Sequence, residues 1–218
     1  MNLEIDLLKN YPKAKRDLSA RSKKHKNDQD IARRFGKDFF DGDRKHGYGG
    51  FYYNSKFWTE VVKDFQKHWG LNNDSSILDV GCGKGFMIYD FLKLLPALKI
   101  KGIDISDYAI KNSKPEVSHL TSVASAEKLP FEDNEFDYVI SINTIHNLPI
   151  NNCKKALKEI SRVAKKDAFI TVDAYNNDEE KKRMYDWNLT AQTILSTTHW
   201  KNLFKECGYF GDYYWFIP

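Results

Sequence analysis

The sequence predicts an α/β fold, with a doubly wound, mostly parallel sheet of six or seven strands and helices on both faces. Between residues 76 and 172, short apolar runs typical of buried strands alternate with segments whose apolar residues recur at helical spacing. The first apolar run passes into a glycine-rich turn, and the second ends in an acidic residue. The alternation indicates parallel strands that are connected through helices.

The first strand and its turn lie in the stretch Ser76–Gly85, which reads S-I-L-D-V-G-C-G-K-G. Its apolar, partly β-branched run predicts a buried strand, and three alternate glycines allow the backbone to turn sharply and approach a ligand closely. A helix is expected from about residue 84 to 95. A strand, a glycine turn and a helix N-terminus form a pocket where unpaired backbone N–H groups point at a ligand.

The second strand is predicted at residues 99–105, K-I-K-G-I-D-I, and Asp104 stands near its end, 19 residues beyond Gly85. In nucleotide-binding α/β folds, an acid at this position accepts hydrogen bonds from ribose hydroxyls. The alternative is a structural role at the start of the next helix, which Ser106 or Asp107 can also cap.

Three further strands are predicted at residues 119–125, 136–143 and 168–172, with a helix at 150–165 before the last of them. Ligands in such sheets bind beyond the carboxyl ends of the strands. The residues expected at this rim are Asn143, His146, Asp173 and Tyr175.

Three strings carry a family resemblance: D-V-G-C-G-K-G, G-I-D-I-S and A-S-A-E-K-L-P-F-E-D-N-E-F-D. In this order they resemble the motifs of the class I S-adenosylmethionine-dependent methyltransferases, over roughly residues 70–175. The resemblance implies a Rossmann-like fold whose last strand is antiparallel, S-adenosylmethionine as cofactor and S-adenosylhomocysteine as product. The cofactor-binding residues that it implies are Asp79, Gly81, Cys82, Gly83, Gly85, Asp104, Ile105, Ser125, Ala126, Glu127 and Asn143.

One of these positions departs from the family pattern. Ser125 stands where the family often has an aspartate that contacts the adenine amino group, and serine is shorter and uncharged. The backbone N–H groups of Ala126 and Glu127 are expected to line the adenine edge.

Methyl transfer to an O or N acceptor can require a general base. His146 is the first candidate because of its place beyond the fourth strand, with Asp173, Tyr175 and His46 behind it. The alternative is that His146 bonds the backbone and holds the shape of the pocket.

Residues 1–70 are expected to form an N-terminal arm, and residues 71–218 the methyltransferase domain. Residues 1–30 are polar and expected to be loosely packed, and a helix is predicted from about Asp28 through Phe39. The glycine-rich, aromatic segment 39–53 is interpreted as a lid over the active site or, alternatively, as an aromatic plug against the sheet. The residues of this segment predicted to face the substrate are Arg44, His46, Tyr48 and Tyr52.

Residues 176–198 are longer than a simple connection and are interpreted as a partly helical insert that covers the acceptor pocket. A helix stopped by Gly208 and a final strand at 212–218 complete the predicted elements.

Charge and composition limit the kinds of partner that are expected for the chain. The net charge of +4 is concentrated in residues 1–50, which carry 13 Lys and Arg against 8 Asp and Glu. Three well-separated cysteines predict no metal site, and the absence of a long apolar run predicts a cytoplasmic protein without a membrane partner. The predicted acceptor is a small polar or anionic metabolite, for instance a sugar or a surface-glycan precursor. Less favoured alternatives are an RNA-modifying methyltransferase that uses the basic arm and a non-catalytic cofactor-binding adaptor; oligomeric state is left open.

Overall fold

The computed structural model of the chain describes residues 3–12 and 26–217. Its strands are β1 (Ser76–Val80), β2 (Lys99–Asp104), β3 (Thr121–Val123), β4 (Phe136–Ile142), β5 (Ala164–Tyr175), β6 (Leu195–Ser196) and β7 (Asp212–Phe216). Its α-helices are α1 (Lys26–Ala32), α2 (Lys37–Phe40), α3 (Ser55–Trp69), α4 (Phe86–Leu94), α5 (Asp107–Lys111), α6 (Ile150–Val163), α7 (Asp178–Trp187) and α8 (Thr197–Cys207). Two short 3₁₀ turns lie at Pro115–Leu120 and Ile145–Asn147.

The seven strands form one sheet in the order β3-β2-β1-β4-β5, and β6 and β7 pair with successive parts of the outer edge of β5. Strand order reverses between β1 and β4, which is where such sheets bind their ligands. This arrangement confirms the predicted Rossmann-like fold.

The last strand differs from what the family resemblance implied, because β7 runs parallel to β5. Helix α8 carries the chain back to the amino end of β5 before β7 begins, and a helical crossover of this kind joins parallel strands. All the strand pairs among the described residues are therefore parallel.

The sheet has a buried cluster on each face. Leu78 and Val80 point into the cluster beneath α6 and α8, while Ile77 points into the cluster beneath α3 and α4. Alternate residues of a strand face opposite sides, so a strand covered on both sides reads as the continuous apolar run seen in the sequence.

The arm contains two short helices where the sequence predicted one. Phe35 has a φ of 49° and Gly36 follows it in an extended conformation, so α1 ends before this point and α2 begins after it. The apolar spacing of the segment indicated a helix, but it carries no information on this left-handed turn.

Residues 3–12 also differ from the expected loose packing. The Leu7 side chain is buried in the cluster beneath α3 and α4, and the backbone N–H of Ile5 donates to the Tyr213 carbonyl at 3.0 Å. The remainder of the segment predicted to be loose includes residues 13–25, which lie outside the described residues.

Candidate active site

The glycine turn has the conformation that its sequence predicts. Gly81, Gly83 and Gly85 have φ values of 89°, 55° and 74°, in the left-handed region that glycine tolerates. A Cβ atom on Gly81 would lie 2.0 Å from the Thr144 hydroxyl oxygen. The turn after β1 therefore touches the segment after β4, at the point where strand order reverses.

Asp79, on the strand below this turn, is a buried acid with no counter-ion among the described residues. Its carboxylate receives no hydrogen bond from another residue in the part of the chain that is described, and its side chain is almost fully buried. Burial, together with the nearby charge of Asp104, raises the pKa of Asp79 to about 8. Such a group is stabilised by a cationic ligand or by a hydrogen-bond donor.

Asp104 lies at the end of β2 and is held by the glycine turn. Its carboxylate accepts hydrogen bonds from the backbone N–H groups of Gly83 and Ser106, each at 2.8 Å. Burial raises the pKa of Asp104, and these backbone donors offset part of that effect. Each carboxylate oxygen keeps a second lone pair, so both can still accept from the hydroxyls of a ribose.

Two apolar side chains stand exposed beside Asp104. Ile105 follows Asp104 in the sequence and is 58% exposed. Val123, the register partner of Asp104 on β3, is 49% exposed. Together they offer an apolar surface of the kind that packs against a flat base.

Ser125, Ala126 and Glu127 form a turn beyond β3. The Ser125 hydroxyl accepts a hydrogen bond from the Glu127 N–H at 3.2 Å, and Ala126 packs against the core. The serine thus closes its own turn, which is a shorter-range role than that of the aspartate often found there in the family. The Glu127 N–H that was expected to line the adenine edge is engaged within this turn.

Cys82 and Asn143 take less direct positions than the resemblance implied. The Cys82 side chain is buried against Gly102 of β2, where an added Cβ would lie 2.8 Å from its Sγ. Asn143 has a φ of 52°, and its side-chain oxygen accepts from the Thr171 hydroxyl at 2.9 Å. Through this bond Asn143 fixes the end of β4 to β5.

His146 and Asp173 are brought together at the rim. The His146 Nδ1 accepts a hydrogen bond from the Asp173 backbone N–H at 3.1 Å, while its Nε2 lies 3.7 Å from Asp173 Oδ2. Burial lowers the pKa of His146, an effect that the Asp173 charge partly offsets, so the ring is neutral with its proton on Nε2. The lone pair that a general base needs is already used. This arrangement favours the alternative in which His146 holds the shape of the pocket, and the base role stays a prediction.

Asp173 and Tyr175 differ in access. Asp173 is buried and accepts a hydrogen bond from the Asn188 side chain, and its backbone carbonyl accepts from the Trp200 indole N–H at 2.9 Å. Tyr175 is half-buried, and the Lys181 ammonium lies 5.5 Å from the centre of its ring. Of the three predicted catalytic side chains, Tyr175 is the most accessible.

The four arm residues predicted to face the substrate are mostly engaged within the arm. Arg44 donates to the carbonyls of Gly47 and Tyr48, at 2.6 and 3.3 Å, and the His46 Nε2 lies 3.1 Å from Asp28 Oδ1. Tyr48 and Tyr52 are exposed, at 46% and 75%. The two tyrosines are therefore accessible to an acceptor, whereas Arg44 and His46 already have partners.

Sequence reasoning missed a buried network that joins the arm to the glycine turn. Lys84 lies between Gly83 and Gly85 in the turn, and its ammonium donates to both carboxylate oxygens of Asp41. Asp41 also accepts a hydrogen bond from the Tyr108 hydroxyl at 2.7 Å. The only residues in the sequence that could have indicated this contact are the lysine in G-C-G-K-G and the aspartate in F-F-D-G-D.

The arm also contacts the insert, residues 176–198, in the loop before β6. The Arg33 guanidinium donates to the carbonyls of Thr190 and Ala191 at 3.3 and 3.2 Å, and the Ser106 hydroxyl donates to the Phe35 carbonyl. The arm thus crosses from the end of β2 to the loop before β6.

The fold and this site define a class I methyltransferase, and comparison with known proteins agrees. A family model described as "Methyltransferase domain" matches residues 71–208, well over half of the chain. The chain therefore belongs to this family of S-adenosylmethionine-dependent methyltransferases.

Relatives within the family have different names and reactions. The chain is 32% identical over 143 residues to the tRNA (carboxymethyluridine(34)-5-O)-methyltransferase of Arabidopsis thaliana, covering 65% of this chain and 32% of that protein. It is 33% identical over 121 residues to the demethylmenaquinone methyltransferase of Staphylococcus aureus, covering 53% and 48%. It is 34% identical over 102 residues to the mouse arginine-hydroxylase NDUFAF5, covering 46% and 29%. The chain spans less than half the length of each of these relatives.

Among solved structures, the YcgJ protein of Bacillus subtilis superposes with a TM-score of 0.56 at 19% identity, covering 67% of this chain and 66% of that one. At this identity the likeness concerns the fold alone. No helix in the described part of the chain is long and apolar enough to span a membrane.

Proposed function

We propose that the chain binds S-adenosylmethionine and transfers its methyl group to an oxygen or nitrogen of a small polar or anionic molecule. The cofactor half of this proposal rests on Asp79, which is buried and has no partner within residues 3–12 and 26–217. The cofactor has an amino acid end that carries an ammonium, a ribose with two hydroxyls and a flat base. Asp79, Asp104 and the apolar pair Ile105 and Val123 match these three parts in chemistry and in order along the edge of the sheet.

The cofactor, when bound, supplies a methyl group on a sulfonium with a good leaving group. The residues of this chain then need to position the acceptor and exclude water. The Phe51 ring lies over the glycine turn, 3.3 Å from where a Cβ on Gly83 would stand, and it stacks on Phe86 with ring centres 4.9 Å apart. This aromatic cover supports the lid hypothesis for residues 39–53, because its rings contact the glycine turn and Phe86 beside it.

The bridge from Arg33 to Thr190 and Ala191 supports a small acceptor. The arm and the insert meet above the carboxyl edge of the sheet, and an enclosed edge suits a compact molecule better than a polymer. The Asn147 Oδ1 is buried at the rim without a hydrogen-bond partner among the described residues. A hydroxyl or an amino group of an acceptor would satisfy it, which supports transfer to oxygen or nitrogen.

Cofactor binding is tested by calorimetry with S-adenosylhomocysteine. We expect micromolar affinity for the full chain, and Asp104→Ala should weaken it by on the order of 1–3 kcal/mol because partners are left unpaired. If Asp104→Ala binds as tightly as the unaltered protein, the ribose assignment is wrong.

The acceptor is sought by incubating the protein with fractionated cell extract and isotope-labelled S-adenosylmethionine, followed by mass spectrometry. Asp104→Ala serves as the matched control. Label in a metabolite that depends on Asp104 supports the proposal, and label confined to RNA supports the alternative.

An RNA acceptor is the second candidate, favoured by the charge of residues 1–50, where Lys and Arg outnumber Asp and Glu by 13 to 8. The Arabidopsis relative also carries a tRNA modification in its name. Binding of this kind falls steeply with salt because counterions are released from phosphates. Absence of measurable tRNA binding at low salt would remove this candidate.

A further inference from the structure

Lys84 is a buried cation in the middle of the glycine turn. Its side chain is 6% exposed, and its ammonium donates to Asp41 Oδ1 at 2.8 Å, to Asp41 Oδ2 at 2.6 Å and to the Phe51 carbonyl at 3.0 Å. All three N–H bonds of the ammonium are thus directed at residues of the arm.

Both carboxylate oxygens of Asp41 likewise accept hydrogen bonds. Besides Lys84, Asp41 accepts a hydrogen bond from the Phe51 backbone N–H at 3.0 Å and one from the Tyr108 hydroxyl of α5 at 2.7 Å. Burial alone would raise the pKa of Asp41, but these donors bring it below the usual range, so the carboxylate is ionised. One side chain therefore joins the arm, the glycine turn and helix α5.

The pair is shielded by aromatic rings. Phe40 and Phe51 contact each other with ring centres 5.6 Å apart, and both approach Gly83. A buried ion pair that loses one partner leaves the other charge uncompensated in a poorly solvating environment. The arm and the turn therefore separate only if both the Lys84 and the Asp41 charge lose their partner.

The turn that Lys84 holds also contacts the proposed cofactor site. Gly83, the residue before Lys84, donates its backbone N–H to Asp104. Gly83 therefore links Lys84 directly to the carboxylate assigned to the ribose.

We propose that Asp41 is a positioning residue, which acts through Lys84 to couple closure of the arm to cofactor binding. This inference rests on the proposed function and identifies the residues by which the same site is regulated. Cofactor binding favours the closed arm, and by reciprocity the closed arm strengthens cofactor binding. The acceptor is enclosed only after the cofactor is in place.

The test uses the full chain with S-adenosylhomocysteine as the probe. Chymotrypsin cleavage in the arm, which has exposed Tyr48 and Tyr52, reports closure, and calorimetry reports affinity. In the unaltered protein the probe should slow cleavage of the arm. Asp41→Asn and Lys84→Met should abolish this protection and weaken the probe by about 5- to 150-fold, the usual range of coupling. Lys84→Arg, which keeps the charge, should restore part of both effects.

The matched control is Tyr53→Phe. It removes a different tie of the same arm, the 2.6 Å hydrogen bond from the Tyr53 hydroxyl to Asp90 on α4, and leaves Lys84 untouched. Circular dichroism verifies folding of each variant. Should Asp41→Asn fail to fold, Lys84→Arg and Lys84→Met decide the matter.

The outcomes separate the two proposals. If the unaltered protein binds the probe while Lys84→Met binds it equally well and stays protected, the coupling is wrong and the proposed function stands. Equal losses in Tyr53→Phe and Lys84→Met would also overturn it, because any loosening of the arm would then suffice. An unaltered protein that does not bind the probe overturns the proposed function, and the coupling with it.

Discussion

At the scale of single residues, the buried carboxyl of Asp79 leads to a prediction of how stability and binding depend on pH. Its pKa of about 8 means that it is mostly protonated at pH 7 in the free protein. Between pH 3.8, the ordinary pKa of an aspartate, and pH 8, Asp79 binds more protons in the folded state than in the unfolded state. Its contribution to the free energy of unfolding therefore falls as the pH rises through this window, until the folded protein ionises near pH 8.

We therefore predict that S-adenosylhomocysteine releases a proton from Asp79 near pH 7. The ammonium on the amino acid end of the ligand, placed beside Asp79, favours the ionised carboxylate and lowers its pKa. Calorimetry in phosphate and in Tris, which differ in ionisation enthalpy, measures the release. Asp79→Asn should bind without it. Identical binding enthalpies in the two buffers for the unaltered protein would contradict the assignment.

His146 yields a second prediction at this scale. Because its Nδ1 is used by the Asp173 N–H, His146→Asn, whose carbonyl can accept the same bond, should keep most of the methyl transfer activity. The unaltered protein should lose stability as the pH falls below 6.5, since the unfolded chain takes up a proton that the buried ring does not.

His146→Asn should reduce that acid sensitivity in urea unfolding at pH 5 and pH 7. A loss of 10²–10⁴-fold in turnover at unchanged cofactor affinity would instead support the general base, because that is the usual contribution of such a group. Tyr175, the accessible alternative at the rim, is the next residue to substitute.

At the scale of elements, the arm is where structure and sequence differ most. The glycine turn and β1 are encoded within ten residues, so local pattern was enough to predict them. The break at Phe35 and the network around Asp41 depend on contacts with residues 84, 106 and 108, which are distant in sequence. Periodicity cannot indicate such contacts. The sequence therefore predicted where the arm lies, but not which residues hold it in place.

The exposed faces of the arm give a prediction of their own. Joint substitution of Tyr48 and Tyr52 by alanine should leave folding unchanged, because both side chains are exposed, and should raise the KM for the acceptor. Steady-state kinetics on the identified acceptor measures the effect. Phe210→Ala is the matched control, since Phe210 is exposed just before β7, at the amino edge of the sheet. Equal KM values for the double variant and the control would argue against contact between these tyrosines and the acceptor.

The insert shows a similar division between local and distant information. The acidic start of α7 follows an asparagine cap, Asn177, whose side chain accepts from the Glu180 N–H at 2.9 Å, and such a pattern is visible in the sequence. Its attachment to the rim beyond β4 is not visible there, because it depends on a distant contact: the His146 carbonyl accepts from the N–H groups of Gln192 and Thr193. These two hydrogen bonds therefore fix the insert to the rim.

At the scale of the whole molecule, the first described residues meet the start of the last strand, β7, at the amino edge of the sheet. The buried Asp212, at the start of β7, accepts from the Leu3 N–H at 2.8 Å and is bonded to the His68 Nε2 at 2.8 Å. Residues 3 and 212 are separated by almost the entire sequence, and no local pattern indicates their pairing. Through this contact and the burial of Leu7, residues 3–12 pack with the sheet.

The last prediction concerns this attachment. Leu7→Ala should lower the free energy of unfolding by about 2–5 kcal/mol, because the leucine is buried in the core and alanine leaves a cavity there. Leu3→Ala is the matched control: its side chain is 49% exposed, so the change should stay within about 0.5 kcal/mol. Urea unfolding of both variants measures the difference. Affinity for S-adenosylhomocysteine should be equal in the two, since the attachment lies at the edge of the sheet opposite to the glycine turn. A stability loss no larger in Leu7→Ala than in Leu3→Ala would mean that residues 3–12 do not belong to the folded core.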